Sequence, residues 1–406
     1  MLPRMSAWDL VVVGGGIVGA AAAYHGSRAG ARVLLVDRGD PGRATSAGAG
    51  IVSPETDIHH PGPYYDLARR AAAYYPALLA ALPRRAGYDR CGMLVVAADD
   101  DEARAFDDFA RRAHDRQRGQ GSVPDAEALR TIDPRDARDA FPALAEVRRA
   151  LLDPRGARVD GRELTAALLE AATARGVSRR AGAVEAIHVE AAHVTGVSVD
   201  GERVPAGAVI VAGGAWSPLL TRALGIHVPV EPQRGQIAHL ALAGADTARW
   251  PMVSGFRDHY LVAWPGGRVA AGATRETGSG FDARATAAGV REVLDEALRL
   301  APGLAAATLL EVRVGLRPLA IDRMPILGPV RDMPGLWLAT GHGPAGLTMG
   351  PYSAKLVAEA ALGGEWPTDL DALSVDRFAD TADPPLRRRA ETSSAPTPER
   401  KDGDRV

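Results

Sequence analysis

A single cysteine, Cys91, stands in 406 residues, so the chain cannot close an internal disulfide or build a thiolate metal site from its own thiols. Disulfide scaffolds and zinc fingers are excluded, no metal centre is expected, and a reducing, cytoplasmic setting is the natural expectation. Lysine is almost absent as well: Lys355 and Lys401 are the only two, and every other basic residue is arginine. Excess charge of one sign is missing, because 48 basic and 50 acidic side chains leave a formal charge of −2. No global field would then recruit nucleic acid or an anionic membrane. Long hydrophobic runs are missing too. Arg4 followed by residues 10–23 superficially resembles a signal peptide, but Asp9 stands at its edge and Gly14, Gly15, Gly16 and Gly19 lie within it. The run is also shorter than the roughly 20 residues that span a bilayer, so no integral membrane segment is expected. What is present is ordinary globular material, 46% hydrophobic and 24% charged, long enough for two or three domains.

Residues 9–13 form a β-branched apolar run, followed by glycines and an alanine-rich stretch over 20–29, which reads as strand, tight turn and helix ended by Gly30. Residues 31–37 (ARVLLVD) form a second apolar strand and complete a βαβ unit with parallel, buried strands. The fold class is therefore α/β. Residues 209–212 and 336–340 repeat the pattern of a buried strand running into glycines. Residues 260–263 and 268–271, joined at Pro265, Gly266 and Gly267, predict an antiparallel hairpin and hence a second sheet. The charged stretch 99–149 and the helically spaced residues 290–300 are expected to cover that sheet. From about Phe378 the chain becomes rich in Pro, Ser, Thr and Arg, the composition of a disordered tail.

Gly14-Gly15-Gly16-Ile17-Val18-Gly19 contains G-x-G-x-x-G between a predicted strand and a predicted helix. Gly14 permits the turn, Gly16 lets a pyrophosphate approach the backbone, and Gly19 lets helix and strand pack closely. The helix N-terminus adds partial positive charge. Asp37, at the end of the second strand, is placed to accept hydrogen bonds from adenosine ribose hydroxyls and would repel a 2′-phosphate. The bland alternative is a glycine-rich turn that holds nothing. The fingerprint does not separate NAD from FAD, so an NAD-dependent dehydrogenase stays open at this point. The small-residue segment GRATSAGAGI (residues 42–51) could run beside a pyrophosphate and along a flavin edge, or be a surface loop.

Taken together, the fingerprint, RATSAGAGI (43–51), VIVAGGAWS (209–217), Gln233-Arg234-Gly235-Gln236, HYLVAWPGGRVAAGAT (259–274), GLRP (315–318) and GHGPAGLTMGP (341–351) resemble the glycine oxidase and D-amino-acid oxidase or dehydrogenase family of FAD enzymes. The order and spacing of these blocks match over about residues 5–378. The resemblance implies a discontinuous Rossmann-like FAD-binding domain (5–90, 155–225 and 310–378) and a substrate domain on a mixed or antiparallel sheet (91–154 and 226–309), with 379–406 as the tail. It implies noncovalent FAD contacts at Gly14, Gly16, Ile17, Val18 and Gly19, at Asp37 and Arg38, and at Ala44, Thr45 and Ser46. Ala49, Gly50 and Ile51 would lie against the flavin ring and Val184 at the adenine, and Gly213 would be a further cofactor contact. His342, Gly343, Pro344, Ala345, Gly346, Leu347 and Thr348 would form the loop that donates amides to the flavin pyrimidine.

By the same resemblance, Arg317 binds the substrate carboxylate and Tyr260 adds a hydroxyl hydrogen bond. The reaction implied is oxidation of an amino acid or related amine to an imine by hydride transfer to flavin N5, with dioxygen or another acceptor reoxidising the flavin. A sarcosine or secondary-amine oxidase of the same superfamily, or a flavoprotein subunit without turnover of its own, are the neighbouring readings, and a homo-oligomer is compatible with any of them. Two positions depart from glycine oxidase. Pro344 replaces a basic residue, and Asp258 replaces a histidine; Asp258 is expected to cap its strand or face solvent rather than recognise a cation. Lys355 stands too far along to be a lysine over the flavin. His59, His60, His188 and His193 have no metal-ligand partners and are expected at the surface.

Overall fold

The computed structural model describes residues 8–57, 62–121 and 123–381. Valine, leucine and alanine dominate the strands and helices that meet at its centre, and their placement follows from side-chain size. The helix Ile17–Arg28 carries Ala20, Ala21, Ala22 and Ala23, all fully buried, and such short side chains let a helix lie close on the strand Trp8–Val13. That strand pairs in parallel with Val33–Asp37 on one side and Glu202–Val211 on the other. The run resembling a signal peptide is thus the first strand and helix of a βαβ unit.

The first sheet runs in the order Ile326–Pro329, Leu336–Thr340, Glu202–Val211, Trp8–Val13, Val33–Asp37, Ser178–Ala181, with His193–Val199 attached to Glu202–Val211 and Val184–Glu190 attached in turn to His193–Val199. Helices Ile17–Arg28, Gly62–Ala80, Gly161–Thr173 and Gly346–Ala361 bury its one face around Leu10, Tyr24, Leu67 and Leu168. The second sheet runs Thr308–Ala320, Val230–Ala241, Arg268–Gly272, Tyr260–Trp264, Met252–Gly255, Met93–Ala97, Arg149–Asp153, Arg130–Ile132. It is mixed: Met252–Gly255 and Met93–Ala97 are parallel, and its other pairs are antiparallel. Helix Asp100–Arg118, whose N-cap Asp99 accepts from the Glu102 amide at 2.9 Å, packs Phe106 and Phe109 on one face of this sheet. Helix Ala287–Leu300 packs Val293, Ala297 and Leu300 on the other. The expected hairpin is present, with Tyr260 opposite Gly272.

One boundary moves. The FAD-binding segment expected from residue 310 begins inside the strand Thr308–Ala320, which pairs along its length with Val230–Ala241 and so belongs to the second sheet. The expected tail also starts later, since Val375–Thr381 is a 3-10 helix; residues 382–406, like His59 and His60, lie outside the described residues. His193 is exposed as expected, whereas His188 is half-buried and its Nε2 lies 2.8 Å from Ser198 Oγ.

Candidate active site

A cavity of about 1110 Å³ lies where the two sheets meet, floored by the loops at the carboxyl ends of the first sheet and walled by the second. This is where ligands bind in open α/β sheets. At its first end, Gly14 has φ +108°, and a Cβ there would sit 2.5 Å from the Ala212 carbonyl; a Cβ on Gly19 would sit 1.8 Å from the Gly14 carbonyl. The turn therefore exists only without those side chains, and the backbone of Gly14, Gly15 and Gly16 faces the cavity together with Gly213 and Gly214. Thr45 Oγ1 accepts from the Ile17 amide at 3.1 Å, and Asp37 Oδ1 accepts from the Gly15 amide at 3.0 Å. Arg43 holds the other Asp37 oxygen at 2.7 Å. Asp37 thus braces the turn as well as lining the cavity, and Arg38 lines it while paired to Asp40.

Ala44, Thr45, Ala49, Gly50 and Ile51 line the next stretch, and Val184 also lines the cavity, close in sequence to Gly182, whose amide donates to the Asp37 carbonyl at 3.1 Å. Helix Gly346–Ala361 begins without a side-chain cap, and His342 to Thr348 all border the cavity. Its first amides and its dipole are available to a ligand with developing negative charge. Thr348 Oγ1 donates to the Ile51 carbonyl at 3.0 Å and ties this helix to the facing loop. The His342 ring points away into the protein, with Nε2 2.8 Å from Ser353 Oγ, and burial pushes it down to about 4, so it is neutral at neutral pH.

The second end is built by the antiparallel pair Val230–Ala241 and Thr308–Ala320, in which Gln233 faces Arg317 and Gly235 faces Gly315. The Arg317 guanidinium lies on the Gly235 backbone, where a Cβ would be 2.4 Å from Nη1. Nη1 donates to the Thr274 carbonyl at 2.9 Å, and the guanidinium is hydrogen-bonded to the Tyr260 hydroxyl. Among the described residues no carboxylate comes within ion-pair distance of Arg317. Burial pulls Arg317 below the usual arginine range, but a guanidinium keeps its proton. Burial raises the Tyr260 phenol, opposed by Arg317 and Arg275, so Tyr260 stands as a neutral donor.

Of the residues singled out from sequence, Gly19 and Ser46 do not border this cavity. Gly19 is spent on packing against Gly14, and Ser46 faces a neighbouring cleft, where its carbonyl accepts from Arg162 Nε at 2.8 Å. Asp258 does not cap its strand: it adopts φ +63°, its carboxylate is exposed, and its carbonyl accepts from Arg275. Sequence reading missed Arg275, Gln233, Tyr64 and Phe109, which also line the cavity. They come from a loop, a strand and two helices far apart in the chain, and their only common signal is the long-range packing. Cys91 and Lys355 lie outside it; the Lys355 ammonium is paired with Glu359 at 2.7 Å. No group of metal-ligating side chains occurs among the described residues, and none of their helices is long and apolar enough to cross a membrane.

The glycine turn, the side-chain-free backbone of residues 213–214 and the uncapped helix start fit an extended dinucleotide, which agrees with the comparisons. Residues 9–360 match the profile of the FAD dependent oxidoreductase family, DAO. An uncharacterized oxidoreductase, YurR, of Bacillus subtilis (strain 168) is 39% identical over 89% of this chain and 96% of its own length. The structure of iminodiacetate oxidase (IdaA) from Chelativorans sp. BNC1 superposes with a TM-score of 0.83 at 39% identity, covering 90% of this chain and 98% of the other. Glycine oxidase from Geobacillus kaustophilus superposes with a TM-score of 0.82 at 28% identity, covering 92% and 99%. The NAD reading is thereby set aside, and the chain belongs to the DAO family of FAD-dependent oxidoreductases.

Proposed function

We propose that the protein oxidises a carboxylated amine, an amino acid or an N-substituted amino acid, at the carbon that bears nitrogen. One observation carries this reading: Arg317, a largely enclosed guanidinium without a counter-ion, shares the cavity with the glycine turn and is bonded to the Tyr260 hydroxyl. A buried cation without an anion is costly, and a bound carboxylate supplies the missing charge through two parallel hydrogen bonds. Similarity to a glycine oxidase and an iminodiacetate oxidase supports the same substrate class.

FAD would supply, when bound, the two-electron acceptor for the hydride that leaves the substrate carbon. The protein's own residues position and exclude. Arg317 and Tyr260 fix the carboxylate, which sets the direction of the adjacent C–H bond, and such positioning is worth many orders of effective concentration. Gly14, Gly16, Ile17, Val18, Asp37, Thr45, Val184 and Gly213 would hold the dinucleotide, and Ala49, Gly50, Ile51 and the loop 342–348 would hold the ring. The amine loses a proton as the C=N bond forms, and water then hydrolyses the imine to a carbonyl compound and an amine or ammonia. No side-chain nucleophile is needed. Burial pushes the Cys91 thiol up to about 11 and it lies outside the cavity, which supports noncovalent binding of FAD.

Arg317→Ala should weaken a carboxylated substrate by about 2 to 5 kcal/mol, the usual loss for one partner of a buried charge pair. Tyr260→Phe should cost about 0.5 to 1.5 kcal/mol. Anaerobic flavin bleaching by glycine, sarcosine, D-amino acids and cyclic secondary amines measures both, and unchanged affinity and bleaching rate in the Arg317 variant would refute the assignment.

A further inference from the structure

A second guanidinium faces the cavity beside the first. Arg275 lies three residues beyond the end of the strand Arg268–Gly272 and borders the same space as Arg317 and Tyr260. Its charge is felt at both: it holds the Tyr260 phenol and the Arg317 guanidinium lower than they would otherwise be. The two like charges repel, and among the described residues no carboxylate bridges them.

The acids near Arg275 are already engaged or too solvated to neutralise it. Glu276, its neighbour in sequence, accepts from Arg234 at 3.0 and 2.6 Å, from Gln236 at 2.7 Å and from Thr274 at 2.7 Å. Backbone bonds between Glu276 and Arg234, at 2.9 and 3.0 Å, clamp this segment to the strand Val230–Ala241. Thr274 and Glu276 therefore share one side of the segment, and Arg275 projects from the other, toward the cavity. Its nearest carboxylate is Asp258, 3.7 Å from Nη2 and 77% exposed. A pair at that distance and exposure contributes little. Around Tyr260 the charges are thus Arg317, Arg275 and a solvated Asp258, a net excess of one positive charge. A zwitterionic amino acid is neutral and leaves that excess in place, whereas an ammonium with two carboxylates carries one negative charge and cancels it.

We propose that Arg275 binds a second anionic group of the substrate, so that the preferred substrates are amines bearing two carboxylates, one on Arg317 and Tyr260 and the other on Arg275. This rests on the reading of Arg317 given above. Arg275 is a specificity residue here, with no part in the bond-breaking step.

The test compares iminodiacetate with sarcosine on the FAD-loaded enzyme, reading anaerobic flavin reduction. Arg275→Gln should lower the ratio of kcat/KM for iminodiacetate over sarcosine by about 10- to 100-fold, the range for a hydrogen-bonded ion pair. Arg275→Lys should restore part of it. A ratio unchanged in Arg275→Gln, whether both rates fall together or neither does, overturns the proposal. The wild-type holoenzyme gives a second readout that needs no variant. Succinate and glutarate should compete with substrate at least tenfold more tightly than acetate, and that advantage should shrink as salt is raised. Equal inhibition by the mono- and dicarboxylates overturns the proposal as well. If no carboxylated amine of either kind reduces the flavin, the reading of Arg317 has failed. If sarcosine reduces it and Arg275→Gln leaves the ratio intact, only the second-carboxylate site has failed.

Discussion

Gly235 and Arg317 meet across one antiparallel pair, and the guanidinium occupies the volume a side chain at position 235 would take. Gly235→Ala should therefore push the end of Arg317 off its seat while leaving the strand intact, because a flexible side-chain end yields more readily than backbone. The expected result is a roughly 100-fold fall in kcat/KM for carboxylated substrates, the scale of an ångström's misplacement. The thermal midpoint should barely move. A variant with normal kcat/KM would show that Arg317 does not need this seat. Arg317 and Tyr260 were singled out through the family resemblance of GLRP and the hairpin, since an arginine beside a proline and an aromatic in a hairpin would by themselves read as structural, and the fold places both on the cavity. Their support was not: nothing in QRGQ reveals that its glycine faces an arginine more than 80 residues on. Arg275 was hidden for a similar reason, since a loop arginine reads as solvated until the neighbouring acids are seen to be engaged elsewhere.

At the level of elements, helix Gly346–Ala361 contains Pro351, which has no amide hydrogen to offer the Leu347 carbonyl one turn back. The Tyr75 hydroxyl, from helix Gly62–Ala80, donates to that carbonyl instead. A tyrosine from another helix thereby completes the first turn of the helix whose start borders the cavity. Tyr75→Phe should leave that buried carbonyl without this donor and cost about 1 to 3 kcal/mol. A lowered thermal midpoint with faster release of flavin is the outcome to look for, and an unchanged midpoint would refute the role. The βαβ unit was readable because its signals, a β-branched run, glycines and an alanine helix, are contiguous. The strand Thr308–Ala320 was divided at the wrong residue because its partner, Val230–Ala241, is distant in sequence and a strand's sheet is decided by pairing.

For the molecule as a whole, burial pushes His25 down to about 3 and His239 and His342 down to about 4. All three are neutral in the folded protein near pH 6.5, where an unfolded histidine begins to take a proton. The unfolded chain therefore binds more protons as pH falls from about 6.5 to 4, and stability declines with it, by about 1.4 kcal/mol for each tenfold difference in proton affinity. Asp153 opposes this: burial raises it to about 6, so the folded state takes its proton first and gains stability as pH falls. Three groups outweigh one, and the urea midpoint should be lower at pH 5 than at pH 7.5; an equal or higher midpoint would refute the balance. The same strand that carries Arg317 has a further consequence at this scale. It makes isolated bridges from Leu316 to Arg43 and from Leu319 to His342, so one segment touches both loops expected to grip the cofactor, with Arg317, the proposed carboxylate ligand, between them. Whatever factor FAD contributes to the affinity for a carboxylate, the carboxylate must return to FAD, so a tightly held inhibitor should lower the equilibrium dissociation constant of the flavin by the same factor by which apoprotein loses affinity for the inhibitor.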